Sequence, residues 1–443
     1  MMTLLLVWLI VCIAFMLIGI LPGRYSAGMP LAYFLGLSLI HTPGAAVYLN
    51  FPIWGGLASQ TEEGFEQTVI GMVAFLIGVL IVRYVAFISR STQPRIEQPN
   101  ELEALDRLAL FYLCGGIIYF GLGSLISIPS VGVIVASLSS LLIVGASLRL
   151  WVAYQEGNRL KFWLTASLLP LLPAITVIRG GFIGFGTYWL LASVSFAFAL
   201  SKRRLGYFLV APFVAFVGLS VFVNYMASRD EIRAAVWVQQ VGLGDRIERV
   251  AGMFRDFQWY DSENSKHRKV IDGRLNQNLL VGAAVDRLQS GLVDYAHGST
   301  LVDIAIGLIP RALWPNKPQV GGGGTVVQDF TGQRFAEGTS VGAGQVLEFY
   351  VNFGTLGIIG GFLLYGSLIG WMDIRIIDCL RDGDRKGYLL WFLVCTALLQ
   401  PGGNLIEVVV TAVGSAITAA VIGHFLVNRF GAKTGSDNEL TVT

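Results

Sequence analysis

Apolar runs of about 20 residues recur along nearly the whole chain, and they leave it few ways to fold. A spanning helix needs roughly 20 apolar residues. By that rule the chain holds about eleven, near 3–22, 30–49, 66–88, 107–127, 130–152, 162–178, 181–200, 207–227, 345–372, 388–402 and 405–428. The expectation is an all-α polytopic membrane protein with about 11 transmembrane helices. Composition points the same way: 54% of the 443 residues are hydrophobic and 14% charged, against roughly 25% charged in a soluble domain. A formal net charge of +2 gives no reason to expect nucleic acid as a partner. The first run lacks a basic leader and a small-residue cleavage site, so it reads as a retained helix. The cysteines Cys12, Cys114, Cys379 and Cys395 show neither metal spacing nor a disulfide framework.

Charge sets the expected orientation. Short loops rich in Lys and Arg stay in the cytoplasm. Arg90 and Arg95 follow the third run, Arg159 and Lys161 the fifth, Lys202, Arg203 and Arg204 the seventh, and Arg381, Arg385 and Lys386 the ninth. The opposite short loops carry Arg179. The alternation predicts an outer N-terminus and a cytoplasmic C-terminus. It divides the chain into helices 1–8 (1–227), an outer loop domain (228–344), helices 9–11 (345–430) and a cytoplasmic tail (431–443).

The loop carries 13 Lys/Arg and 13 Asp/Glu and is therefore neutral. It reads as helical. Asp245 and Glu248 form a capping-box pattern ahead of Ile247, Val250, Ala251, Phe254 and Phe257. Leu280, Ala284, Leu288 and Leu292 share another helix face. Leu301 to Leu308 is apolar but too short to span, so it lies at the interface or dips in and returns until Pro310 ends it.

Ionisable groups inside membrane spans are costly and are functional candidates by default. On the eleven-helix scheme several share one outer depth: Glu348, Tyr350 and Asn352 on helix nine, Glu407 on helix eleven, Arg179 in the turn "VIRGGF", and His41 on helix two. The loop opens onto the same side with "IPRALWPNKP", where three prolines fix Arg311 and Lys317 beside Gly321–Gly324. Each residue has a plainer reading. Arg179 can snorkel, Glu348 and Glu407 can favour a helix start, and His41 and His297 can be ordinary hydrogen-bonded histidines. Read together they suit an anionic lipid head group, above all a diphosphate, since Arg offers a planar fork and Lys a point charge. No HExxH, paired-cysteine zinc pattern, P-loop or nucleophile elbow occurs, so neither a metal nor a cofactor is expected. A carboxylate is left to act as base.

"IPRALWPNKP", followed about 30 residues later by "GQVLEFYVNFGTLGIIGG", resembles the bacterial Wzy-type polymerases of O-antigen and exopolysaccharide repeat units. The matching positions are Pro310, Arg311, Trp314, Pro315, Lys317 and Pro318, then Gly344, Glu348, Tyr350, Asn352, Phe353 and Gly354. The match covers about 309–362. The resemblance implies a metal-independent membrane glycosyltransferase of the GT-C type. It would polymerise undecaprenyl-diphosphate-linked oligosaccharides at the periplasmic face of the bacterial inner membrane. A chain-length regulator and a flippase are implied as protein partners. Family Arg-x10-Gly spacings are met by Arg311 to Gly322 and by Arg287 to Gly298. In that scheme Arg179, Arg287, Arg311 and Lys317 hold the diphosphate, with Tyr350 and Asn352 close to it. Trp314 anchors the loop or stacks on a sugar, and Glu348 or Glu407 is the catalytic carboxylate. An O-antigen ligase-like enzyme, a lipid-linked oligosaccharide flippase and a non-catalytic scaffold are the alternatives.

Overall fold

The computed structural model describes residues 1–20, 26–52, 56–89, 99–122, 137–201, 204–309, 313–318, 320, 322–334 and 341–430. Every regular element among them is helical. In chain order these are α1 (Met2–Ile20), α2 (Met29–Asn50), α3 (Ala58–Ser89), α4 (Pro99–Leu122), α5 (Leu141–Gln155), α6 (Arg159–Leu168), α7 (Leu171–Gly180), α8 (Ile183–Leu200) and α9 (Arg204–Arg233). The loop supplies α10 (Leu243–Gly252), α11 (Ser265–Arg274), α12 (Asn278–Gln289), α13 (Ser299–Leu308) and α14 (Gly323–Thr331). Last come α15 (Gly344–Asp382), α16 (Arg385–Leu398) and α17 (Leu405–Phe430).

Eight helical stretches among the described residues are long and apolar enough to cross a membrane: α2, α3, α5, the α6–α7 pair, α8, α9, α15 and α17. The chain is thus a multi-pass membrane protein. Two expected spans are corrected. The run at 388–402 is not helical throughout. Its helix α16 has 14 residues, about 21 Å at 1.5 Å per residue, short of a hydrocarbon core of about 30 Å. It gives way to a turn at 399–404 in which Leu399, Pro401 and Asn404 are buried.

The run at 345–372 is not one straight helix either. α15 reverses at Phe353 (φ −143°, ψ 21°) and Gly354 (φ 61°, ψ −150°). The Gly354 conformation is open essentially to glycine alone. Residues 344–352 fold back along residues 355–382 as a hairpin. The Phe349 and Phe362 ring centroids are 5.3 Å apart, and Gln345 Nε2 donates to the Tyr365 hydroxyl at 3.2 Å. In a continuous helix those last two residues would stand about 30 Å apart. Cysteines at Phe349 and Phe362, in a chain otherwise free of cysteine, should therefore oxidise to an intramolecular disulfide and become blocked to maleimide. Full maleimide labelling after oxidation would mean a straight helix, with the pair about 20 Å apart.

The long arm of α15 runs parallel to α3. Thr355 Oγ1 donates to Gln67 Oε1 at 3.0 Å, Ser367 Oγ to Gly78 O at 3.3 Å, and Arg83 Nη2 to Asp373 Oδ2 at 2.9 Å. Asp373, 0% exposed, also accepts from Met29 N at 3.0 Å and Ser26 Oγ at 2.8 Å. One buried carboxylate thus joins α15, α3 and the start of α2. Between these rungs Phe75, Val79, Ile358 and Phe362 pack by dispersion, which drives helix association where lipid is as apolar as the side chains.

The loop does not stand clear of the bundle. α12 crosses α3 where Gly64 meets Asn278 O and Gly282 meets Gln60 O, an approach no side chain would permit. Ser220 Oγ and Asn224 Oδ1 on α9 accept from Tyr260 N (2.9 Å) and Gln258 N (3.0 Å). Those polar side chains satisfy a non-helical strip of loop backbone against a membrane helix. α10 begins at Leu243 with Gly242 as its N-cap, so Asp245 lies inside its first turn rather than before it. Leu292 lies beyond the end of α12 and is exposed. The Met1 amino group pairs with Glu62 near the start of α3, at the loop end of the bundle. Gly423 on α17 lies beside Lys386 at the opposite end.

Candidate functional site

The hairpin places residue 345 well below the turn at 353–354, where it meets the buried break at 399–404. Gln345, 0% exposed, closes this junction. Its N–H donates to Pro401 O at 3.0 Å and its Nε2 to Gln400 O at 3.4 Å, while the Tyr33 hydroxyl donates to its Oε1. Asn404 Oδ1 accepts from Ala343 N at 2.8 Å. Gly323, at the start of α14, packs against the Asn404 amide and Val341 O, so this glycine serves a close approach. The sequence reading missed Gln345, Tyr33 and Tyr365. A polar residue at a helix start and tyrosines inside apolar runs carry no distinctive pattern.

Above the junction the short arm of α15 is locked to α13. Asn352 Nδ2 donates to Thr300 Oγ1 at 2.7 Å and to Glu348 O at 2.7 Å, and Asn352 Oδ1 accepts from Gly298 N at 2.9 Å. Glu348 is 2% exposed. Its Oε2 accepts from Leu405 N, the first residue of α17, at 2.7 Å, and the Thr300 hydroxyl also bonds its carboxylate. An anion at a helix N-terminus is stabilised by free N–H groups and the helix dipole. Glu348 therefore caps α17 from a neighbouring element. Glu407, in the first turn of α17, is exposed instead, and both Glu407 and Asp303 lie close enough to Glu348 to act on its charge.

The proline-stiffened segment folds back onto α13. Lys317 Nζ donates to Gly307 O at 2.9 Å and Ile309 O at 3.0 Å, capping the C-terminus of α13. Gly307 in turn packs on Ile406, the neighbour of Glu407. Trp314 is 39% exposed on the adjoining turn. Arg311 lies outside the described residues.

Other expected site residues sit elsewhere. The Arg179 guanidinium lies 4.2 Å over the Tyr119 ring. Arg287 lies against Gly332, and its buried Nε has no hydrogen-bond partner among the described residues. Tyr350 faces α12, where Gln289 Nε2 donates to its hydroxyl at 3.4 Å. His41 is an interior residue whose Nδ1 lies 2.7 Å from Asn278 Oδ1 and 3.1 Å from Thr68 Oγ1. His297 takes a left-handed backbone (φ 48°) with its ring 6.3 Å from Tyr295. The structure thus brings Glu348 and Asn352 together at Thr300, with Glu407 and Asp303 nearby, and sets Lys317 at the far end of the same helix, α13. No described contact links Arg179, Arg287 or Tyr350 to that group.

No family model, no curated protein and no solved structure matches the chain. The functional reading therefore rests on its own residues. They form a polar cluster at the loop end, with one sequestered carboxylate that sets a helix start, two more accessible carboxylates near it, and a lysine that caps the far end of α13.

Proposed function

We propose that the chain is a membrane glycosyltransferase that lengthens a lipid-diphosphate-linked glycan at its loop-bearing face, the periplasmic face of a bacterial inner membrane. The observation that carries this reading is the path from Lys317 through Gly307 and Ile406 to Glu407. It links the turn that bears Lys317, through α13, to α17 one residue from the accessible Glu407. Such a pair suits a substrate that brings both a diphosphate leaving group and a hydroxyl nucleophile.

The step balances without an outside energy source. A hydroxyl oxygen of the incoming lipid-linked unit attacks the anomeric carbon of the growing glycan. The bond from that carbon to the diphosphate breaks, and the lipid diphosphate leaves with the electron pair. Glu407 takes the hydroxyl proton. Lys317 offsets charge on the leaving group. Charge-assisted hydrogen bonds contribute about 1.5–3 kcal/mol each. Glu348 is the positioning residue, because its bond to Leu405 N fixes the turn that carries Glu407. The run that resembles the repeat-unit polymerases forms the hairpin itself, with Gly354 at its reversal and Glu348 and Asn352 inside it.

One observation favours a transporter instead: α15 is broken at 353–354 and the chain breaks again at 399–404, and discontinuous helices build transport sites. Purified protein in vesicles with a lipid-linked repeat unit separates the two. A ladder of lengthening glycans is expected. Movement of the unit across the bilayer without new glycosidic bonds would replace the enzyme reading with the transporter reading.

A further inference from the structure

The loop end of α9 holds an under-neutralised group of cations that the proposed reaction does not use. Tyr225, Arg229 and Arg233 follow one another at four-residue spacing and so share one helix face. The Tyr225 hydroxyl and Arg233 Nε both donate to Gly181 O, at 2.7 and 3.2 Å, which ties this face to the turn after α7. Arg274 ends α11, which packs on α9, and it lies near enough to this group for Arg229, Asp230 and Tyr225 to act on its charge. Partial burial first and Arg229 second hold its guanidinium below its ordinary pKa, partly offset by Asp230 and Tyr225. Arg274 makes no hydrogen bond or ion pair among the described residues. The Asp230 carboxylate, 3.1 Å from Arg229, is 93% exposed. Arg229 and Arg233 thus share one face of α9 with Arg274 nearby, and the carboxylate paired with Arg229 faces solvent.

The surroundings are as informative as the charge. The Arg233 guanidinium lies 4.4 Å over the Phe182 ring and 5.3 Å from that of Trp237. Phe185, Trp237 and Val238 beside it are 50%, 51% and 80% exposed. Cations edged by exposed aromatic and aliphatic surface match a ligand with an anionic head and an apolar chain.

We propose that Arg229, Arg233 and Arg274 form a binding site for the diphosphate of a polyprenyl lipid, with the tail lying against Trp237 and Val238. This rests on the glycosyltransferase reading only in supplying the second of two lipid diphosphates that such a reaction brings together. The site itself stands or falls by binding.

The test is calorimetric titration of the purified full chain with farnesyl diphosphate and, separately, with inorganic pyrophosphate. Farnesyl diphosphate should bind more tightly than pyrophosphate. Arg274→Gln should weaken it by about 10- to 100-fold at one site, the loss of one charge-assisted contact, and Arg229→Gln/Arg274→Gln should abolish that site. Arg255→Gln, which removes the same charge from an exposed loop position, should leave binding unchanged. Unaltered binding in the Arg274 variants would overturn the proposal, as would an equal loss in Arg255→Gln. Pyrophosphate binding as tightly as farnesyl diphosphate would overturn the lipid assignment. If glycan polymerisation fails but this site is real, the wild type still takes up farnesyl diphosphate and Arg274→Gln still loses it.

Discussion

Arg83→Leu should leave little folded protein, and Asp373→Leu should do the same. Arg83 and Asp373 are 6% and 0% exposed and 2.9 Å apart. Removing one partner strands a buried charge, at about 3–5 kcal/mol. That is a large share of the roughly 5–15 kcal/mol that holds a typical domain together. The two losses are not equivalent. Asp373 also accepts from Met29 N and Ser26 Oγ, so its loss frees the start of α2 as well. The double variant Arg83→Leu/Asp373→Leu should then melt no lower than Asp373→Leu alone, because no unpaired charge remains. Thermal melts of the four proteins in detergent provide the check. Two stable single variants, or a double variant that loses the sum of both, would mean that the pair does not join α3 to α15.

Glu407→Gln should lower turnover by roughly 10²–10⁴-fold, the loss typical of a missing general base, with little change in the lipid-linked glycan concentration needed for half-maximal rate. Glu348→Gln should cost about tenfold or less. An amide oxygen at that position can still accept from Leu405 N, and the carboxylate is too sequestered to meet substrate. Glu348→Ala should be worse than Glu348→Gln, because nothing then caps α17. Initial rates of glycan extension for the three variants decide the roles. A severe loss in Glu348→Gln beside a near-normal Glu407→Gln would move the base to Glu348.

These assignments show what was legible in the sequence. Hydropathy revealed the membrane class because each run had to be long and apolar. The reversal in α15 was hidden because "FYVNFGTLG" is as apolar as a helix that continues, and the only local sign is a glycine whose backbone angles no sequence displays. The shortness of α16 was hidden for the same reason: the apolar run goes on to Leu399 after the helix has stopped. Chemistry by residue type singled out Glu348 and Asn352, which meet at Thr300, and Glu407, which lies near them, whereas Lys317 caps the far end of α13. It did not find Thr300, the hydroxyl that joins Asn352 and Glu348, nor the Arg83–Asp373 pair, whose partners lie 290 residues apart. Arg179 and Arg287 looked like partners of Lys317 because they share its charge. Three-dimensional placement sends one to Tyr119 and the other to Gly332.

On the proposed function, each new glycosidic bond is formed at the expense of a lipid diphosphate. Purified protein supplied only with lipid-linked repeat unit, with no nucleotide sugar and no added metal, should release one polyprenyl diphosphate for every bond formed. The count of released lipid diphosphate should rise in step with glycan length measured on the same samples. Bond formation without diphosphate release, or only on addition of a nucleotide sugar, would contradict the account, as would diphosphate release with no longer glycan.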